Sequence, residues 1–565
     1  MQISSSFLAL ALGLTTAVNA ASIAQPNRRA ADTSFQKPVL GYNTYNAIGC
    51  QPTEKFAHEQ INTMQKDGYL AAGYDLFSID CGWQENNIHR NSSAGNAIPQ
   101  NLTSFPAGMQ ALGQYAISRG FRYGLYSDAG YRSCLPTAIS DEVGSLGYEN
   151  EDAAQFASWN VSYLKYDNCY ASGPTPADSA PLSPRKDFIT RYSPMTTALR
   201  SRGIMGELVC QWGLGYITNA GYIEGPVAWT GNISTSFRMA GDISDNWGAV
   251  NRIINQAIYV ANTDMTGPGH HGDGDLLEVG NGGMSFAEEQ SHFAFWSMIK
   301  SALMMSTDLT KLSSEEQKLL TNSKLIDINQ DDLGKPVKLV QRYTNDHDLF
   351  AGPLSNGDMA VLAINQMNST RSLSIDFSDL NITKANVEDL ISGYTGSGAS
   401  SYSANIDGHA PIALRLSNIV KSTKAPPSVD WIDATSGTRS GDANIQVCSA
   451  CPGGKKVGYI GNGTNNSLTF DNLKVNSANA TILFDYLNCD VTVTSSTNMR
   501  TGSISVNGGE PVDVSFPISG YNWDASITHN YRVALSGFKP GSSNSINITS
   551  TSGYAPDVSR IGIIA

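Results

Sequence analysis

The stretch Val161-Ser-Tyr-Leu-Lys-Tyr-Asp-Asn-Cys-Tyr170 sets a cation and a carboxylate two residues apart in a strand-forming run. Side chains alternate along a strand, so Tyr163, Lys165 and Asp167 share one face and Ser162, Leu164 and Tyr166 the other. A charged face makes a poor core, so this strand is expected to end in a site. Ser236-Phe-Arg-Met-Ala-Gly-Asp242 repeats the arrangement, with Arg238 and Asp242 at equal parity. Two carboxylates about 5 Å apart suit retaining hydrolysis of a glycosidic bond, one as nucleophile and one as acid/base, whereas a wider gap suits inversion. Sequence does not give that separation. Lys165 would favour the ionised form of Asp167 that a nucleophile needs, and Asp242 would need a raised pKa to protonate a leaving group. The same residues also read as two structural ion pairs, Lys165–Asp167 and Arg238–Asp242. A metal reading of His270-His-Gly-Asp-Gly-Asp275 is weaker, because adjacent loop histidines rarely ligate one ion together and no third histidine is near.

Such residues need a frame that gathers strand ends from distant parts of the chain. Between residues 38 and 325, short apolar strands alternate with helical patterns, which predicts βα units and a parallel sheet. The predicted strands are Val39–Asn46, Leu76–Asp80, Arg122–Asp128, Val161–Asp167, Ile204–Val209, Ser236–Asp242, Met265–Gly272 and Ala302–Thr307. Eight units in this length fit a (β/α)8 barrel spanning 38–330, whose active site would lie at the C-terminal strand ends. Five predicted strands finish on Asn46, Asp80, Asp128, Asp167 and Asp242. One such Asp would read as a helix N-cap; the set reads as a rim.

Past Asn329-Gln-Asp-Asp-Leu-Gly334 the pattern shifts to short alternating strands, an antiparallel β domain over 331–420. A linker over 421–428 follows, marked by Pro426-Pro427, which cannot join a central strand. Residues 429–565 read as a β-sandwich without an acid–base constellation. Trp523 and Tyr554 are its candidates for stacking on a sugar, though aromatic residues more often serve as core.

Residues 1–20 read as a secretory signal peptide, with an apolar run from Phe7 to Leu14 and small residues before Ala20; 21–37 form an N-terminal segment. No later stretch reaches the roughly 20 apolar residues of a membrane span. A net charge of −13 without basic clusters argues against nucleic acid or an anionic membrane as partner. Ten Asn-x-Ser/Thr sequons, among them Asn91, Asn232 and Asn462, agree with a secreted, extracellular glycoprotein. Eight cysteines in such a compartment favour disulfides, and the C-x-x-C at Cys448 lacks the histidine spacing of a zinc site.

The motifs Leu40-Gly-Tyr-Asn-Thr-Tyr-Asn46, Leu125-Tyr-Ser-Asp-Ala-Gly130, Tyr163-Leu-Lys-Tyr-Asp-Asn-Cys169, Gly241-Asp-Ile-Ser-Asp-Asn-Trp247, Leu277-Glu-Val-Gly-Asn-Gly-Gly-Met284 and Ile328-Asn-Gln-Asp331 occur in the order found in glycoside hydrolase family 27. Over about residues 38–420 the chain resembles this α-galactosidase and α-N-acetylgalactosaminidase family in its fungal secreted form. The resemblance implies retaining hydrolysis of terminal α-linked D-galactose from oligo- and polysaccharides, without a cofactor or metal for catalysis. It implies Asp167 as nucleophile and Asp242 as acid/base, with Asp80, Lys165, Arg238, Cys210, Trp212 and Tyr42 lining the sugar site. It also implies the disulfides Cys50–Cys81 and Cys134–Cys169.

This chain departs from the family pattern at three places. Ile-Asp-Asp-Cys-Trp is replaced by Ile79-Asp-Cys-Gly-Trp83, the tryptophans usual at 42 and 45 are tyrosines, and Gly-Trp-Asn-Asp-Pro-Asp is replaced by His270-His-Gly-Asp-Gly-Asp275. The first removes a sugar-binding carboxylate and keeps open a β-L-arabinopyranosidase of the same family. A barrel that binds sugar without turnover is the non-enzymatic alternative. Gln211 and Leu214 stand where N-acetyl-accepting members carry small residues, which disfavours GalNAc. Val457-Gly-Tyr-Ile-Gly-Asn462 and Gly553-Tyr-Ala-Pro-Asp-Val-Ser-Arg-Ile561 resemble a family 35 carbohydrate-binding module, a type that often binds calcium. Read this way, the module is separable, and cutting after Pro427 is expected to spare turnover.

Overall fold

The computed structural model describes residues 35–564 apart from 88, 136–140, 172–187, 218–222, 344–345, 424–426, 492–496 and 542. The predicted signal peptide therefore lies outside the described residues. Eight parallel strands form one sheet: β1 (Leu40–Asn43), β2 (Leu76–Ser78), β3 (Arg122–Asp128), β4 (Val161–Asp167), β5 (Gly206–Val209), β6 (Ser236–Arg238), β7 (His271–Asp273) and β8 (Leu303–Met305). β8 lies beside β1, and the sheet curls closed where Leu277, just after β7, bridges to Met305 and donates its N–H to Met304 O at 2.8 Å. Helices cover the outside, so the strands are buried on both faces and read as near-continuous apolar runs. From Tyr123 to Asp128, every residue of β3 is buried.

Each predicted barrel strand forms, several of them shortened for local reasons. β1 stops at Asn43, whose carboxamide oxygen accepts the Tyr45 N–H at 2.8 Å and turns the chain into the short helix Tyr45–Ile48. β6 stops at Arg238, which leaves Asp242 on a loop. β7 starts only at His271, because Gly267 and His270 close a tight turn around Pro268-Gly269 through reciprocal N–H···O bonds of 2.9 Å. The helices are set by caps: Asn246 accepts Ala249 N–H before Trp247–Asn262, and Ser285 and Glu288 form a capping box before Phe286–Met298.

Antiparallel sheets follow the barrel. Met359–Asn365 pairs with His347–Pro353 and Pro411–Lys421, and further strands extend that sheet on both sides. Lys338–Tyr343 pairs with His347–Pro353 along one edge and, with Arg342 opposite Val533, meets Thr528–Ser536 of the C-terminal region along the other. The two β regions thus share one 12-stranded sheet, while a second, five-stranded sheet closes the C-terminal sandwich. Leu339 packs against both the barrel core and the C-terminal core.

Candidate active site

Strand order and register gather the charged residues. β5 lies between β4 and β6, so the ends carrying Asp167 and Arg238 stand two strands apart on one rim. Register sets Asp128 opposite Asp167, and Arg238 opposite Asp273. None of the strand-end aspartates Asp80, Asp128, Asp167 and Asp242 caps a described helix; each is held in a polar network instead.

Asp80, 1% exposed, accepts from Lys165 Nζ and from Asn43 Nδ2, both at 2.8 Å, while its other oxygen accepts the Cys81 N–H at 3.0 Å. Lys165 therefore pairs with Asp80, and the Lys165–Asp167 pair considered from sequence gives way to this one. The register explains it: Lys165 leaves β4 one pleat before Asp167 and points across β3 to the end of β2. Its ammonium lies 5.4 Å from the rings of both Tyr45 and Tyr126. Burial opposes its charge, but Asp80, Cys210, Asp167 and Asp275 together hold its pKa well above the usual lysine value.

Asp167 is buried, at 6% exposure. One carboxylate oxygen accepts from Trp212 Nε1 at 3.0 Å and from its neighbour's N–H, Asn168, at 2.9 Å. Burial raises its pKa; Lys165 and Trp212 pull it back, while Asp242 and Asp80 push it further up. Asp128 beside it is pushed up well beyond the carboxylate range, first by burial and then by Asp167, although the Cys169 N–H reaches both its oxygens at 3.1 Å.

Arg238 is shared. Its Nη2 lies 2.6 Å from Asp275 Oδ2 and 2.9 Å from Asp242 Oδ1, and its Nη1 donates to Cys210 Sγ at 3.5 Å. The Arg238–Asp242 pair considered from sequence exists, but Asp275 holds the same guanidinium more closely. The Asp242 side chain is 69% exposed. Desolvation pushes its pKa up, but Arg238 and Lys165 outweigh it, and the group stays below the usual carboxylate range. Arg252 Nη2 donates to Asp242 O at 2.6 Å and fixes the loop. Burial raises the Cys210 thiol well above its usual value, so it remains an SH in the wall.

Tyr42 does not line the site. It has no exposed surface, its hydroxyl donates to Thr307 O at 3.0 Å, and its ring stacks on Phe77 at 5.3 Å. Its parity on β1 turns it into the core, and Tyr45, partly exposed, faces Lys165 in its place. Trp83 is likewise core, with its indole N–H bonded to Tyr126 O at 3.0 Å. In the His270–Asp275 segment, His271 bonds with Gln36 O at 2.8 Å and His270 with Thr230 Oγ1 at 2.9 Å, so both imidazoles serve the fold. Asp275, weighed from the sequence only as a metal ligand, instead joins the site through Arg238, a partnership that its place after a strand did not reveal.

Disulfides join Cys50–Cys81, Cys134–Cys169 and Cys448–Cys451. The second anchors the chain two residues beyond Asp167, and the third occupies both sulfurs of the C-x-x-C. Gly82, φ +89°, sits against that first bridge: a Cβ there would lie 2.2 Å from Cys50 O. In the C-terminal sandwich Asp557 is engaged by Lys456 at 2.8 Å and by Arg500 at 3.8 Å, and Arg500 also pairs with Asp490 at 2.6 Å. Among the described residues, no three acidic side chains there share one point.

A barrel whose strand-end rim combines buried and exposed carboxylates with a lysine and an arginine carries the groups that glycosidic hydrolysis uses. The family described as Alpha galactosidase A matches residues 45–331, and that described as Alpha galactosidase C-terminal beta sandwich domain matches 344–416. An alpha-galactosidase of Cyamopsis tetragonoloba is 37% identical over 380 residues, 66% of this chain and 85% of that one. A probable alpha-galactosidase D of Aspergillus terreus is 29% identical over 672 aligned residues, 98% of each chain. Among solved structures, alpha-galactosidase I from Mortierella vinacea superposes with a TM-score of 0.62 at 28% identity, covering 70% of this chain and all of that one. The chain belongs to the α-galactosidase family, glycoside hydrolase family 27. Catalysis in this family needs no cofactor.

Proposed function

We propose that this enzyme is a secreted, exo-acting, retaining α-galactosidase that releases terminal α-linked D-galactose from oligo- and polysaccharides. The observation that carries the reading is the pair of aspartates on one rim, Asp167 ending β4 and buried among hydrogen-bond donors, Asp242 on the loop after β6 and open to solvent. Asp167 attacks the anomeric carbon and forms a galactosyl ester while Asp242 gives its proton to the leaving oxygen. Asp242 then takes a proton from water, which attacks the anomeric carbon, releases the sugar and regenerates the Asp167 carboxylate. Asp80, Lys165 and Tyr45 would hold ring hydroxyls, and Trp212 and Cys210 the wall. The raffinose-bound alpha-galactosidase of Saccharomyces cerevisiae, at 24% identity and a TM-score of 0.58, shares the fold. Three disulfides favour an oxidising compartment.

Two charge states run against these roles, since the buried Asp167 is raised and the exposed Asp242 lowered. Arg238 and Lys165 keep Asp242 ionised in the free enzyme, and a sugar seated over it would desolvate the carboxylate further and raise its pKa towards the acid role. Asp167→Asn should cut kcat on an aryl α-D-galactoside by at least about a thousandfold, with NMR of the wild-type reaction giving α-galactose first. Near-normal turnover by the folded variant would refute the nucleophile assignment, and β-galactose as first product would refute retention. The Asp80-Cys-Gly-Trp83 departure makes β-L-arabinopyranoside the comparison substrate, and faster turnover of it would replace the galactoside reading.

A further inference from the structure

The turn that carries Trp212 is held in an unusual conformation. Trp212 has φ +64° and Gly213 φ +72°, and a Cβ on Gly213 would meet Met239 O at 2.2 Å. A tryptophan in the left-handed region is costly and persists only where its surroundings impose it. Gln211 imposes part of it, accepting the Leu214 N–H at 2.9 Å. The remaining constraint comes from more than 300 residues away, across the domain seam. Tyr521, buried in the C-terminal sandwich, donates its hydroxyl to Gly213 O at 2.5 Å and accepts from Gln256 Nε2 at 2.7 Å. Gln256 belongs to the helix Trp247–Asn262, and its Oε1 accepts from Asn498 Nδ2 at 2.9 Å. The Tyr521 ring stands edge-on to Tyr259 at 5.6 Å and covers Gly225, where a Cβ would fall 2.3 Å from it. Burial keeps the phenol neutral, with its pKa far above the usual value.

We infer that Tyr521 is a positioning residue for glycoside hydrolysis: it pins the Trp212–Gly213 turn so that the indole N–H stays on Asp167, and the C-terminal sandwich thereby completes the active site. The inference rests on the reading of Asp167 as nucleophile. The route is short: Tyr521 hydroxyl to Gly213 carbonyl, Gly213 to Trp212 along the chain, Trp212 Nε1 to Asp167 Oδ1 at 3.0 Å. Without that hydroxyl the Gly213 carbonyl is buried and unpaired, and the turn can relax away from Asp167. The indole bond favours the ionised carboxylate, so its loosening shifts the ionisation of Asp167 to higher pH. The other groups facing Asp167 are Lys165 on β4, Asp128 on β3, Asp80 after β2, Cys210 after β5 and Asp242 after β6, with Tyr45, Tyr126 and Tyr192 around them. None of these touches Tyr521, so their influence is common to wild type and variant.

The test uses full-length Tyr521→Phe, Trp212→Phe, their double variant and Asp167→Asn on an aryl α-D-galactoside. Tyr521→Phe is expected to lower kcat about three- to thirtyfold with little change in KM, and to move the acidic limb of kcat/KM upward. Trp212→Phe should move that limb in the same direction and further. The double variant should be no slower than Trp212→Phe alone, because both changes break one route. Ser526→Ala gives a milder second probe, since its hydroxyl accepts the Tyr521 N–H at 3.2 Å and holds that loop; a smaller shift of the same sign is expected. Folded Tyr521→Phe with the wild-type rate and pH profile, or losses that multiply in the double variant, would overturn the inference. If Asp167→Asn retains turnover, the nucleophile reading falls whatever Tyr521 does; if Asp167→Asn is dead and Tyr521→Phe is normal, only the inference falls.

Discussion

Arg238 divides one guanidinium between a buried carboxylate, Asp275, and an exposed one, Asp242. That division sets the pH behaviour expected of the enzyme. In the free enzyme Asp242 is held low, so the population able to donate a proton shrinks as pH rises through a low pKa. With sugar bound, the side chain loses water and its pKa rises. The limb at which activity falls with increasing pH should therefore lie about one unit or more higher in kcat, which reports the complex, than in kcat/KM, which reports the free enzyme. Rate profiles on an aryl α-D-galactoside between about pH 3 and 8 measure both. Coincident limbs would mean that substrate does not desolvate Asp242, and the acid/base would have to be sought elsewhere.

At the scale of the element, the barrel wall carries acids that take no part in that chemistry. Glu207 on β5 is buried, with its carboxyl oxygen accepting from Thr196 Oγ1 at 3.1 Å, and burial pushes its pKa up to about 8. Glu142 is likewise pushed up to about 8 by burial. The unfolded chain releases these protons near the ordinary carboxylate value, about 4.3, whereas the fold keeps them to about 8. The folded state then binds more protons across that window, so stability falls as pH rises through it. Glu207→Gln keeps the acceptor for Thr196 and has no proton to lose. It should raise stability at pH 8 by several kcal/mol over wild type and leave pH 4 nearly unchanged, as read by denaturant unfolding. An equal effect at both pH values would show that packing, and not ionisation, governs the site.

For the whole molecule, the seam between barrel and sandwich matters most. Lys338–Tyr343 is paired on both edges, one of them by Thr528–Ser536. Arg342 pairs with Asp348 at 2.6 Å and reaches Ser515 O at 3.4 Å, and Asn255 donates to Thr497 O at 2.9 Å. The separability after Pro427 expected from the sequence does not agree with such a seam. A chain ending at Pro427 would expose a sheet edge and the apolar faces of Leu339 and Tyr259. Its kcat/KM per folded molecule should fall at least about tenfold, with association visible by sedimentation. A monomeric truncation of full activity would restore the modular view.

The linear chain determined a good deal by itself. The alternation of apolar strands with helices gave eight βα units, because parallel strands buried on both faces must be apolar throughout. The parity of Lys165 with Asp167, and of Arg238 with Asp242, marked the strands that feed the rim. What it left open was every partnership across strands. Lys165 binds Asp80, and Asp275 competes for Arg238, because register and strand order decide which ends meet, and neither is written in local spacing. Tyr42 and Tyr45 differ by three positions and have opposite fates, since one lies in β1 facing the core and the other on the turn that follows. The placing of Tyr521 against Gly213 joins residues 308 apart through the docking of two domains, and only tertiary structure decides such a contact.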